Sequence, residues 1–194
     1  MIYFFTINEN GILNKDSVDL RGNHFLSSAS IKTGDNHLAI VNSTKNSNRY
    51  LNLVSYNVQS FVLDTNSVEL SNSGAMQLYG MLKNLSNSFF TIGSNYLLDQ
   101  GVTNGLLIKS SSNDTLWVKN YSHPIYELSF SSIKKISEDR ILVGGRAYDW
   151  DYNWQTIPEN KWDDEHHTYI AELDTLGNII WEWEDTTNFT WIIS

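Results

Sequence analysis

The sequence predicts an all-β fold made of consecutive four-stranded antiparallel units, and three observations predict it. Aromatic and β-branched residues are plentiful, while Ala, Lys, Glu and Arg are too sparse for long amphipathic helices. Asn and Ser are abundant, as many short strands joined by many turns require. Most tellingly, a pair of hairpins recurs along the chain, each hairpin with Gly, Asn, Asp or Ser where a tight turn needs them.

Taken in order, residues 1–22 read as half a unit, a single hairpin from Tyr3 to Leu13 around Asn10-Gly11. Residues 23–72 form a whole unit. Its first hairpin is Ser30-Ile31-Lys32-Thr33, the turn Gly34-Asp35-Asn36, and His37-Leu38-Ala39-Ile40-Val41, and its second is expected from Tyr50 to Leu63 around Asn57. Residues 73–122 repeat the pattern, with Gly80 to Leu85 turning through Ser86-Asn87-Ser88 into Phe89-Phe90-Thr91-Ile92-Gly93, then Leu106 to Val118 around Asn113-Asp114. Residues 123–185 hold the clearest copy. There Ser131 to Ile136 turns through Ser137-Glu138-Asp139 into Arg140 to Gly145, and Thr168 to Leu173 turns through Asp174 to Asn178 into Ile179-Ile180-Trp181-Glu182-Trp183. An insertion over 148–167 separates these two hairpins, and the tail 186–194, with Phe189-Thr190-Trp191-Ile192-Ile193, starts a further strand.

A period of about 45 to 65 residues fits the blade of a β-propeller better than a shorter solenoid repeat. Each blade exposes apolar faces that only its neighbour can cover. The chain therefore reads as about three and a half blades, and because a ring needs at least about four, it is an open or partial propeller or the start of a longer series. Opening inside a strand, at Met1-Ile2-Tyr3-Phe4-Phe5, gives the same impression of a piece of something longer, with further blades as its neighbours.

The segments Leu107-Ile108-Lys109 to Asp114-Thr115-Leu116-Trp117 and Ile170-Ala171-Glu172-Leu173-Asp174 to Gly177-Asn178-Ile179-Ile180-Trp181 carry a shared signature. It is an apolar strand, a short Asn/Asp/Gly turn, then an aliphatic residue and tryptophan. The signature resembles the β-propeller repeats of long secreted or surface-attached bacterial proteins, over most of the chain and most strongly from about residue 76 onward. The resemblance implies an extracellular or cell-surface setting. The shared motifs are packing motifs, so they imply fold rather than activity, and the earlier copies lack the terminal tryptophan.

Composition excludes several functions. With a net charge of −9 and no Lys/Arg-rich run, the surface would repel nucleic acid and anionic membranes. The absence of cysteine removes thiol catalysis, thiolate metal sites and disulfides. No run approaches the ~18 apolar residues of a membrane span, and the first residues lack the basic segment and cleavage site of a signal peptide.

The 148–167 insertion is the expected functional surface, because long loops on rigid scaffolds concentrate binding residues. Trp150, Trp154, Trp162 and Tyr152 would form a platform on which sugar rings stack, with Asp151 and Asn153 hydrogen-bonding hydroxyls. A second reading takes Asp149, Asp151 and Asn153 as oxygen ligands at the alternate spacing of a calcium loop, although Trp154 stands where such a loop wants glycine and Asn160 replaces its glutamate. A third packs the tryptophans against their own blade and leaves the acids in solvent. No other cofactor is expected.

His166 and His167 adjoin Asp163, Asp164 and Glu165, yet neighbouring residues of a strand point to opposite faces and do not readily share an ion. Gly144-Gly145, within a strand, reads as a bulge or a close backbone approach. Glu182, Glu184 and Asp185 read as a solvated, charged edge. No Gly-x-Ser-x-Gly turn or phosphate-binding glycine loop is present. The expected function is a non-catalytic binding or scaffolding module contacting a glycan or a partner protein. The alternatives are a purely structural spacer and a polysaccharide-active enzyme fragment.

Overall fold

The computed structural model describes residues 2–8, 11–18, 24–45, 48–57, 59–60, 63–70, 73–84, 88–111, 114–148 and 166–185. Every regular element among them is a strand. Strands β1 (Ile2–Asn8) and β2 (Gly11–Val18) pair as a hairpin. A first four-stranded sheet follows, made of β3 (His24–Thr33), β4 (Asn36–Lys45), β5 (Asn48–Asn57) and β6 (Leu63–Leu70). The second holds β7 (Ser73–Lys83), β8 (Ser88–Leu97), β9 (Val102–Ser111) and β10 (Thr115–Tyr121). The third holds β11 (Glu127–Lys135), β12 (Arg140–Tyr148), β13 (His166–Asp174) and β14 (Ile179–Asp185). Each sheet is an antiparallel meander in chain order, so the all-β repeat of four strands is present as the sequence predicts.

One expected boundary is corrected. The second hairpin of the first sheet runs to Leu70 and not to Leu63, because Asn57 is the entrance to its turn and not its centre. The Asn57 side-chain oxygen accepts the backbone N–H of Gln59 and of Ser60, at 3.0 and 2.8 Å. This is the local Asx bonding that lengthens a connection.

The three sheets share a device that sets their register. A β-bulge interrupts the first pairing of each, between Phe25 and Ser27, between Leu78 and Gly80, and between Phe130 and Ser132. Opposite the bulge the backbones close in. A Cβ on Gly93 would lie 1.9 Å from the Gln77 carbonyl oxygen, and one on Gly145 1.9 Å from that of Ser129. Only glycine fits there, which bears out the expectation of a close approach at Gly144-Gly145.

The sheets stack face to face in chain order. Strand β7 lies against β3, and β11 packs across β7, β8 and β9. One core joins Ala29, Leu38, Ile40, Leu51 and Leu53 of the first sheet to Met76, Leu78, Phe89, Leu106 and Ile108 of the second. A second core joins Phe90, Ile92, Leu107 and Tyr121 to Leu128, Phe130, Ile141, Val143, Ala147, Tyr169, Ala171 and Leu173 of the third. Phe89 and Phe90 thus serve different cores, as do Leu106 and Leu107, because successive side chains of a strand leave opposite faces. The inner strands of the middle sheet are buried on both faces, and the short apolar runs Phe89-Phe90 in β8 and Leu106-Leu107-Ile108 in β9 lack a polar alternate for that reason.

Polar contacts fix the stacking geometry. Between the first and second sheets, the Asn42 amide donates to the Met76 carbonyl at 2.7 Å, and the Ser27 hydroxyl accepts the Leu78 N–H at 3.0 Å. Between the second and third, the Tyr121 hydroxyl donates to the Gly177 carbonyl at 2.7 Å, and Lys109 Nζ to that of Thr175 at 2.9 Å. The turn they grip is shaped by Gly177, at a φ of 76°, and by Asp174, whose carboxylate accepts the N–H groups of Leu176 and Asn178 at 2.9 and 2.8 Å. Trp117 lies beneath this turn, its ring 2.9 Å from where a Cβ on Gly177 would stand.

Candidate functional site

In a four-stranded meander, the connection between the second and third strands lies at the same end as the start of the first strand and the end of the fourth. The short passages from Leu70 to Ser73 and from Tyr121 to Glu127 carry that end from one sheet to the next. The connections β4–β5, β8–β9 and β12–β13 therefore share one end of the stack, and the last of them is the 148–167 insertion.

That end carries a set of hydrogen-bonded polar groups. The buried Asn95 amide donates to Ser73 Oγ at 3.2 Å and to Asn120 Oδ1 at 3.0 Å. Asn104, also buried, reaches Gln100 Oε1 and the Val102 carbonyl, both at 3.4 Å. Glu127 accepts the Thr103 N–H at 3.2 Å. Tyr148, the last described residue before the insertion, packs under the Arg146 guanidinium, which lies 5.2 Å from its ring centroid. Burial first, and then the Glu127 charge, push the Tyr148 hydroxyl up to about 12, so it stays protonated as a hydrogen-bonding group.

The most developed cluster lies at the other root of the insertion. Glu184 on β14 accepts His167 Nδ1 of β13 at 2.6 Å and His123 Nε2, from the passage between sheets, at 3.1 Å. His123 Nδ1 accepts the backbone N–H groups of Ile125 and Tyr126, at 3.2 and 3.0 Å. That pattern places its ring proton on Nε2, toward the carboxylate. The Tyr126 ring stacks on His123, with centroids 5.2 Å apart, and meets His167 edge-on at 4.6 Å. One carboxylate thus ties together two strands of the third sheet and the passage that enters it. Both its oxygens are occupied by ring N–H donors, which makes it an anchor.

No protein-family model matches the chain, and comparison with curated proteins finds no match.

The predicted binding residues Trp150, Asp151, Tyr152, Asn153, Trp154 and Trp162, and the predicted calcium ligands Asp149, Asp151 and Asn153, lie outside the described residues. What the structure places is the pair of strand ends from which they hang, Tyr148 and His166, which are register partners. Among the described residues no group of three or more His, Asp or Glu side chains is placed to hold a metal ion, and none forms a helix long and apolar enough to cross a membrane.

The reading of Glu182, Glu184 and Asp185 as a solvated edge holds for Glu182, exposed on the outermost strand β14, and is corrected for Glu184. Glu184 is held by the two histidines, and Glu182 accepts the Tyr169 hydroxyl. Burial and then that bond raise the tyrosine well above its usual range. The strand's solvent-exposed large side chains include Trp181 and Trp183. The alternation Trp181-Glu182-Trp183-Glu184 carried this signal, since it must put the two residue types on opposite faces. His123 and Tyr126 had no such signal, because a passage between sheets has no period.

Proposed function

We propose that the chain is an arc of propeller-type blades serving as a non-catalytic binding or scaffolding module, which contacts a glycan or a partner protein through the 148–167 loop. The observation that carries the reading is the His123–Glu184–His167 anchor. It ties the loop's C-terminal root to two strands and an inter-sheet passage, so a loop rich in Trp, Tyr, Asp and Asn springs from a fixed frame. The serial stacking of four-stranded meanders supports the blade reading. The described carboxylates of the third sheet are committed to structural partners, Glu184 to two histidines, Glu182 to Tyr169 and Glu172 to Arg140, which supports a role without turnover. An extracellular or cell-surface setting rests on the repeat resemblance alone.

The test is binding of the full chain to an immobilised panel of oligosaccharides, compared with Trp150→Ala and Trp162→Ala. Stacking on an aromatic platform predicts loss of binding in both variants with the melting temperature nearly unchanged. Unaltered binding, or a large stability loss in either variant, would assign those tryptophans to packing and remove the platform.

A further inference from the structure

His123 is bonded at both ring nitrogens, and the two sets of bonds are of opposite kind. Nδ1 accepts the backbone N–H groups of Ile125 and Tyr126, at 3.2 and 3.0 Å, while Nε2 donates to Glu184 Oε2 at 3.1 Å. A neutral imidazole has one acceptor and one donor and satisfies both ends, whereas an imidazolium has donors alone. A proton added to His123 goes to Nδ1, where two N–H groups already point at the lone pair. The turn that these bonds close therefore exists only with the ring neutral. With the His123 side chain 12% exposed, water cannot take over at Nδ1 unless the passage moves.

His167 is placed differently. Its Nδ1 donates to the other oxygen of Glu184 at 2.6 Å, so a proton added to it goes to Nε2 and leaves that bond in place. Tyr126, whose N–H is one of the two held by His123, stacks on the His123 ring at 5.2 Å and meets His167 edge-on at 4.6 Å. Losing the turn frees the ring that touches both histidines.

Among the described residues, the titratable groups that face His123 are Glu184 from β14 and His167 from β13. Further along the same face, Tyr169 is bonded to Glu182, and Tyr121 of β10 to the Gly177 carbonyl. Glu127, next after the passage, accepts the Thr103 N–H. Strands β11 and β12 present the apolar Leu128 and Ala147. The Glu184 carboxylate draws a proton toward the His123 ring, and the two N–H groups oppose it at Nδ1. One geometry cannot meet both demands, so an imidazolium that keeps Glu184 must let go of the turn.

We propose that His123 is a proton-operated catch, which on acidification opens the passage 123–126 while Glu184 retains both rings. Opening loosens the entry into β11 and removes Tyr126 from the side of His167, at the C-terminal root of the 148–167 insertion. The inference concerns this frame and does not depend on what the insertion contacts.

Amide exchange at Ile125 and Tyr126, expressed as protection relative to the free peptide at each pH, reads the catch. Protection should be at least about tenfold lower at about pH 5 than at about pH 8, either side of the range in which histidine titrates. The amides of Leu107 and Ile108, in the middle sheet, should keep theirs. His123→Asn puts an amide oxygen, which does not titrate, at the same bond separation from the backbone as Nδ1, so its protection at Ile125 and Tyr126 should not change with pH. Constant protection in the unaltered chain would overturn the proposal. So would the same fall in His123→Asn, or an equal fall at Leu107 and Ile108, which would mean a change in the whole fold. Should the variant fail to fold, nitrogen chemical shifts of the His123 ring in the unaltered chain decide. Protonation of Nδ1 that accompanies the loss of protection supports the catch, and either one without the other overturns it.

Discussion

Replacing Phe130 with alanine should loosen the third sheet from the second, and a glycine across the interface should report the change. Phe130 is fully buried. Its ring lies 5.4 Å from Tyr121 and 6.1 Å from Tyr169, centroid to centroid, and its tip sits over Gly105, where a Cβ would meet three ring carbons at 2.8 to 3.0 Å. Truncating such a ring costs about 3–5 kcal/mol, a large share of the ~5–15 kcal/mol that holds a domain folded. Gly105→Ala alone overpacks the same spot, at about 1–3 kcal/mol. The two changes are complementary in volume, because the alanine methyl enters the space that the lost ring vacates. The double variant should therefore be more stable than the sum of the single effects predicts, by about 1–2 kcal/mol. Guanidinium unfolding of the four proteins, followed by tryptophan fluorescence and far-UV circular dichroism, measures this directly. Additivity within about 0.5 kcal/mol would refute the packing of Phe130 on Gly105, and with it the register in which these sheets stack.

Two further predictions probe the polar framework. Glu184→Gln leaves one amide oxygen to accept from two histidines, so one buried ring N–H loses its partner. The denaturation midpoint should fall by the equivalent of about 1–3 kcal/mol, whereas Glu182→Gln, which keeps an acceptor for Tyr169, should cost less. The second concerns Asp174. Partial desolvation raises its carboxyl, but the N–H groups of Asn178 and Leu176 and the Asn178 amide outweigh this and hold it below the ordinary value. A depressed folded pKa means stability that is present above the unfolded value of about 3.9 and is lost as pH falls through the folded one. The difference in melting temperature between the parent and Asp174→Asn should thus be full at neutral pH and shrink below about pH 4. A constant difference across that range would assign the turn's stability to something other than the ionised carboxylate.

Much of the fold was legible because hairpins are local. The turn at Asp174–Asn178, the strands either side of it and the glycines at the bulge could each be read from a few adjacent residues. The misplaced end of the first sheet's second hairpin shows the limit of local reading. Asn57 is a turn residue by type, but whether it opens or centres a turn depends on what its side chain caps. The site was less legible for the same reason. His123 and Glu184 lie far apart in the chain, and nothing near either one announces the other.

The same logic separates the middle of the stack from its end. In β8 and β9 the runs Phe89-Phe90 and Leu106-Leu107-Ile108 have no polar alternate, which a strand tolerates only when both of its faces are buried, and both are. In β14 the alternation of Trp181 and Trp183 with Glu182 and Glu184 separates two surfaces. The acids turn to Tyr169, His123 and His167, so they cannot also shield the tryptophans behind them. The tryptophans share their face with Ile170 and Leu142 and also with Lys134 and the Arg140–Glu172 ion pair, so they form a narrow apolar strip among charges.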